Sequence, residues 1–156
     1  MTKQPAAARM DNLPVHDCWA QLRKVSVGRL ALWHKDHPEI FPINYTVDHG
    51  TLVFRTGEGT KLTALLEDHP VAFEADGVDP DTGIAWSVVV KGSAVLLSST
   101  DDILDSFSLR LFPWHSGHKD NFVRIQPTSV TGRRFKVTPP ADWWTAYANA
   151  PHSSSE

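Results

Sequence analysis

Five segments of this chain carry β-branched and aromatic residues in alternation or in short apolar runs: VGRLALW, FPINYTV, TLVFRT, VAFEAD and IAWSVVVKGSAVLLSS. Successive side chains of a strand point to opposite faces, so runs of this kind suit strands with one or both faces buried. Between the second and third runs stand Asp48, His49 and Gly50, a residue tolerant of the left-handed region followed by glycine, which predicts a hairpin and antiparallel neighbours. A closing stretch, NFVRIQPTSVTGRRFKV, alternates again and is expected to break near Pro127 and to bulge or bend at Gly132. Six or seven strands follow, without regular strand–helix alternation. The pattern predicts a mainly β fold with α caps, an antiparallel barrel, because closure removes edges that a flat sheet would leave exposed.

Three helices are expected around these strands. PVHDCWAQLRK places Val15, Cys18, Trp19 and Leu22 at helical spacing, with Pro14 in the first turn. Thr60 to Asp68 sets Leu62, Leu65 and Leu66 on one face and stops before Pro70. SSTDDILDSFSLRLF starts with capping residues and carries Ile103, Leu104, Phe107 and Leu111 as a stripe. Residues 1–12 and 146–156 lack an apolar period and read as flexible tails around a domain of residues 13–145.

At 156 residues the chain is one domain's worth. Its net charge is −3 and its cations are scattered, which argues against a nucleic-acid partner and a polybasic membrane patch. Cys18 is the single cysteine and cannot form an internal disulfide, and no apolar run is long enough for a membrane span, so a cytoplasmic protein is expected.

Covalent catalysis has no motif here. G-x-S-x-G is absent, and Cys18 sits on the apolar face of its helix, as a structural thiol would. His115 and His118 in WHSGHKD lie three apart but lack a Cys or carboxylate at a ligand spacing. Asp76, Asp79 and Asp81 in DGVDPDTG resemble part of a calcium loop, yet its closing glutamate is missing and Pro80 interrupts it. No metal site is expected.

FRTGEGTKL offers more. A helix start exposes unpaired N–H groups, and pairing of the FPINYTV and TLVFRT strands would gather Arg55, Thr56, Thr60 and Lys61 there, two cations and two hydroxyls suited to a phosphate monoester. Asn44, Tyr45, Trp86 and Ser87 behind them mix flat apolar surface with polar edges, as a heteroaromatic ring requires. The same residues also fit a plainer arrangement, with Gly57 and Gly59 ending a strand, Arg55 and Lys61 in solvent and Tyr45 in the core.

The ordered set GRL, PINY, FRTGEGTKL, HPVAFEAD, WSVVVKGSA, FVRIQP and VTGRRF resembles the pyridoxamine 5'-phosphate oxidase-like family of FMN-binding split barrels, above all its small actinobacterial-type and nitroimidazole-resistance-type members. The resemblance runs from about Asp17 to Val137. It implies a six-stranded antiparallel split β-barrel, a homodimer, and FMN in a groove at the dimer interface. By this resemblance Pro42, Ile43, Asn44 and Tyr45 edge the isoalloxazine, Phe54, Arg55 and Thr56 follow the ribityl chain, and Thr60, Lys61 and Leu62 form the phosphate-binding turn. Ser87 stands where oxidase members carry a glutamine near the flavin. Trp143 and Trp144 do not reproduce the carboxy-terminal Trp and Arg arrangement of the full oxidases, which points away from pyridoxamine phosphate as substrate. The loop LFPWHSGHKD, presenting Trp114 and His115, is expected to reach the partner's flavin. The implied function is an FMN-dependent oxidoreductase acting on a small molecule. A flavin-binding module with no substrate of its own, and a deazaflavin- or haem-binding relative of the same fold, stay open at this stage.

Overall fold

The computed structural model describes residues 10–97 and 121–137. The strands are β1 (Asp11–Leu13), β2 (Val27–His34), β3 (His37–Asp48), β4 (Thr51–Thr56), β5 (Val71–Val78), β6 (Ile84–Leu96) and β7 (Asn121–Lys136). Two helices, α1 (Val15–Leu22) and α2 (Thr60–Leu65), are placed between them. The sheet runs β1-β7-β4-β3-β2-β5-β6 and closes through a second pairing of β7 with β6, so six antiparallel strands form a barrel and β1 adds to β7 outside the ring. Asp11 and Asn12, which the sequence leaves in a tail, are therefore strand residues opposite Arg134 and Arg133.

Period-two burial explains the closure. Leu30 and Leu32 of β2, Ile43 and Tyr45 of β3, Leu52 and Phe54 of β4, Phe73 of β5, Val88 and Val90 of β6, and Val123 and Ile125 of β7 share one interior cluster. Cys18 and Leu22 of α1 and Ala64 and Leu65 of α2 pack onto the same cluster. Residues of opposite parity lie on the other face of the sheet, where Val53 and Phe122 are buried in a second, smaller cluster with Leu97.

The hairpin expected at Asp48 to Thr51 is present, with positive φ at His49 (46°) and Gly50 (71°), the pair of left-handed residues that matches strand twist. Pro14 precedes α1 as its N-cap residue instead of entering the first turn. α2 stops at Leu65, short of the expected Asp68. The closing stretch is one strand, not two: Pro127 is accommodated by a register shift between Lys91 and Gly92, so that Gly92 faces Pro127 while Lys91 faces Ser129. Gly132 marks no bulge. It makes room for α1, since a Cβ there would lie 2.6 Å from Cys18 Sγ. The third expected helix lies outside the described residues. Among the described residues, no helix is long and apolar enough to cross a membrane.

The barrel is not sealed evenly. β2 pairs with β3 over eight residues but with β5 over only three, Arg29 to Ala31. This narrow seam positions the site.

Candidate functional site

Strand register gathers the outward-facing residues of four strands around the seam. Val27 and Arg29 oppose Asn44 and Pro42, Arg29 opposes Glu74, and Asp76 opposes Ser87. Cross-strand partners share a face, so Pro42, Asn44, Arg29, Glu74, Asp76 and Ser87 form one polar belt on the outside of the barrel. Arg55 extends it: Val53 opposes Thr46, and Arg55 and Asn44 each lie two residues further along toward the same end. The belt thus joins sequence-predicted residues from β3, β4 and β6.

An ionic cluster occupies its middle. Arg29 Nε donates to Glu74 Oε2 at 2.7 Å, and Nη2 lies 2.6 Å from the same oxygen and 3.1 Å from Asp76 Oδ1. Burial pushes the Glu74 carboxyl up from its ordinary range, the Arg29 bond pulls it down, and Asp76 pushes it up again. The bond to Glu74 in turn pushes the Arg29 guanidinium further up. Sequence reasoning missed this cluster. Its legible part was the E-A-D spacing, which puts Glu74 and Asp76 on one strand face; Arg29 reaches them only through the β2–β5 pairing.

At the end of the belt, the Arg55 guanidinium lies 5.2 Å from the Phe122 ring centroid, and the Lys61 ammonium 5.3 Å from that of Phe41. Gly57, Glu58 and Gly59 carry the chain from β4 into α2. Gly59 adopts φ 140°, a backbone state that side chains oppose, and Thr60 after it is exposed. Leu62 is half-buried beside a cavity of about 310 Å³ that it lines with Leu65, Leu66, Val95, Leu96 and Val123.

Several expected contacts are displaced by the pleat. Tyr45 is 4% exposed, its hydroxyl donating to the Leu22 carbonyl oxygen at 2.6 Å, so its side chain is core and does not edge the belt. Ile43 and Phe54 are interior for the same reason, sharing the parity of Tyr45. Thr56 is also buried, its hydroxyl donating to the Gly57 carbonyl at 3.3 Å, which removes one of the two hydroxyls from the expected anion group. Trp86 points to the opposite face of β6 from Ser87 and lies over Gly77. The DGVDPDTG turn holds itself together, Asp81 N donating to Asp79 Oδ1 at 2.9 Å. No group of three or more His, Cys, Asp or Glu suited to a metal ion occurs among the described residues. Trp114, His115 and His118 lie outside them.

The model of the family described as pyridoxamine 5'-phosphate oxidase matches residues 14–134. The chain belongs to this family. Its barrel resembles that of a candidate pyridoxamine 5'-phosphate oxidase of Corynebacterium glutamicum at 40% identity and TM-score 0.75, covering 83% of this chain and 100% of that one. It also resembles a protein of Mycobacterium smegmatis described as the FAD binding protein, at 37% identity and TM-score 0.70, over 81% of this chain and 98% of the other. An uncharacterised Mycobacterium tuberculosis protein is 38% identical over 92 residues, 59% of this chain and 82% of its own. The split-barrel fold is that of this oxidase family.

Proposed function

We infer that the protein is a flavin-dependent oxidoreductase acting on a small molecule, with FMN along the outer belt. The observation that carries this reading is the shared face of Arg55, Asn44 and Ser87, with Lys61 and Thr60 following at the Gly57–Gly59 turn. The donor set fits the cofactor: two cations and one exposed hydroxyl for a phosphate, and amide and hydroxyl groups for ring edges. Arg55, Thr60 and Lys61 would hold the phosphate, and Asn44 and Ser87 the ring edges. A bound flavin supplies hydride or electron transfer, and the protein supplies orientation and exclusion of water. The Arg29–Glu74–Asp76 cluster keeps the belt polar at the seam. A homodimer in which a second copy walls off the groove belongs to the same reading.

FAD is the second reading, favoured by the relative described as an FAD binding protein at 37% identity. Chromatography of the flavin released from purified protein separates the two. Lys61→Ala is expected to weaken FMN by roughly 10- to 150-fold, the cost of a charge-assisted hydrogen bond, while riboflavin, which lacks the phosphate, binds as before. Equal losses for FMN and riboflavin in titration would sink the phosphate assignment.

A further inference from the structure

The belt does not use Trp86. Trp86 instead lines two cavities, which also share Gly77 and Val78. One, of about 270 Å³, runs to Asp76 and Ser87 on the belt. The other, of about 420 Å³, lies between the C-terminal end of α1, the β5–β6 turn and β7. Gln21, Lys24 and Val25 line one side of it, and Val78, Ile84 and Arg134 the other. Gly77 makes the indole's position possible, because a Cβ there would lie 2.7 Å from Trp86 Nε1.

Cations outnumber carboxylates on the described lining of the larger cavity, Lys24 and Arg134 against Asp79. Lys24 and Arg134 make no ion pair among the described residues, although Asp11 stands opposite Arg134 in the β1–β7 ladder. Asp79 is the acidic group on the wall, and it is engaged in its own turn with Asp81 N. Val78 and Ile84 at the lip are 57% and 42% exposed, apolar surface left in the open beside a half-buried indole. Two cations flanking a flat aromatic wall select an anion attached to a planar apolar body.

We propose that this cavity binds a small molecule with a planar apolar body and a single carboxylate or phosphate, held by Lys24 and Arg134 and packed on Trp86. That the ligand is the substrate rests on the flavin reading, through the neighbouring cavity on Ser87; the anion site itself does not.

The test is calorimetry on the full chain, as purified and after saturation with FMN, using 2-naphthoate, 2-naphthyl phosphate and neutral 2-naphthamide. At least one anion is expected to bind about tenfold or more tightly than the amide, as a charge-assisted contact implies. Whichever anion binds tighter names the group. Lys24→Gln with Arg134→Gln should abolish the preference, and Trp86→Ala should weaken all three compounds alike. Amide binding equal to that of both anions, a preference that survives the double substitution, or no binding by any compound overturns the proposal. An anion preference in protein that takes up no flavin supports the cavity and removes the flavin reading; flavin uptake without the preference does the reverse.

Discussion

Tyr45 meets the edge of Phe73 at a centroid distance of 4.7 Å and ends on the Leu22 carbonyl, at the last residue of α1. That carbonyl belongs to a helix end, where no intrahelical donor is available. One phenol thus ties the helix cap to the barrel interior. Burial pushes its hydroxyl well above the ordinary tyrosine range, so it stays a donor at any pH the protein meets. Tyr45→Phe should keep the ring packing and orphan the carbonyl, costing about 1–3 kcal/mol in urea or thermal unfolding. Flavin affinity should stay unchanged, because the side chain faces the core. A large loss of affinity with unchanged stability would return Tyr45 to the cofactor site.

Among the elements, β7 does most to shape the barrel. Its first residues lie between β4 and β6, and its later ones between β6 and β1. β6 accompanies β7 along most of its length, and the register between these two strands shifts where Pro127, which lacks an N–H, faces Gly92. The close approach leaves no room: a Cβ at Gly92 would lie 2.0 Å from the Gln126 carbonyl oxygen and 2.9 Å from its carbon. Backbone atoms cannot turn aside as a side chain can. Gly92→Ala is therefore expected to cost about 1–3 kcal/mol or more, read as a lower urea midpoint at an unchanged slope. Wild-type stability in this variant would mean that the bulge is looser than the pairing indicates.

For the molecule as a whole, the belt is the outer face of a single barrel, yet Arg29, Asn44, Arg55, Glu74 and Ser87 are only partly exposed. Among the described residues, a flavin laid on such a face would be walled by protein on one side alone, which leaves its reactive ring open to water. A second copy would supply the other wall. Light scattering on the flavin-loaded protein should give about twice the 17.3 kDa of one chain. A monomer that retains its flavin would rule out the shared groove and leave the phosphate assignment to the Lys61→Ala titration.

Local pattern determined strands β2 to β7, the Asp48 to Thr51 hairpin, both described helices and the closed β architecture, because period-two and period-3.6 burial are written into neighbouring residues, whereas β1 fell in a stretch with no such period. It also marked Lys61, Arg55 and Ser87, whose surroundings were read from FRTGEGTKL and the family resemblance. Which residues of a marked strand face the site was a different matter. PINY and FRT were read as units, but the pleat sends Ile43, Tyr45, Phe54 and Thr56 inward and leaves Pro42, Asn44 and Arg55 outside. Only the tertiary structure settled that parity, through where the core lies. The Arg29–Glu74–Asp76 cluster and the Lys24–Trp86–Arg134 cavity depend on it still more. Their members are 45 or more residues apart along the chain in part, and they meet because barrel closure pairs β2 with β5 and β6 with β7. Register between distant strands is fixed by the summed fit of the whole interior, and no single segment carries that sum.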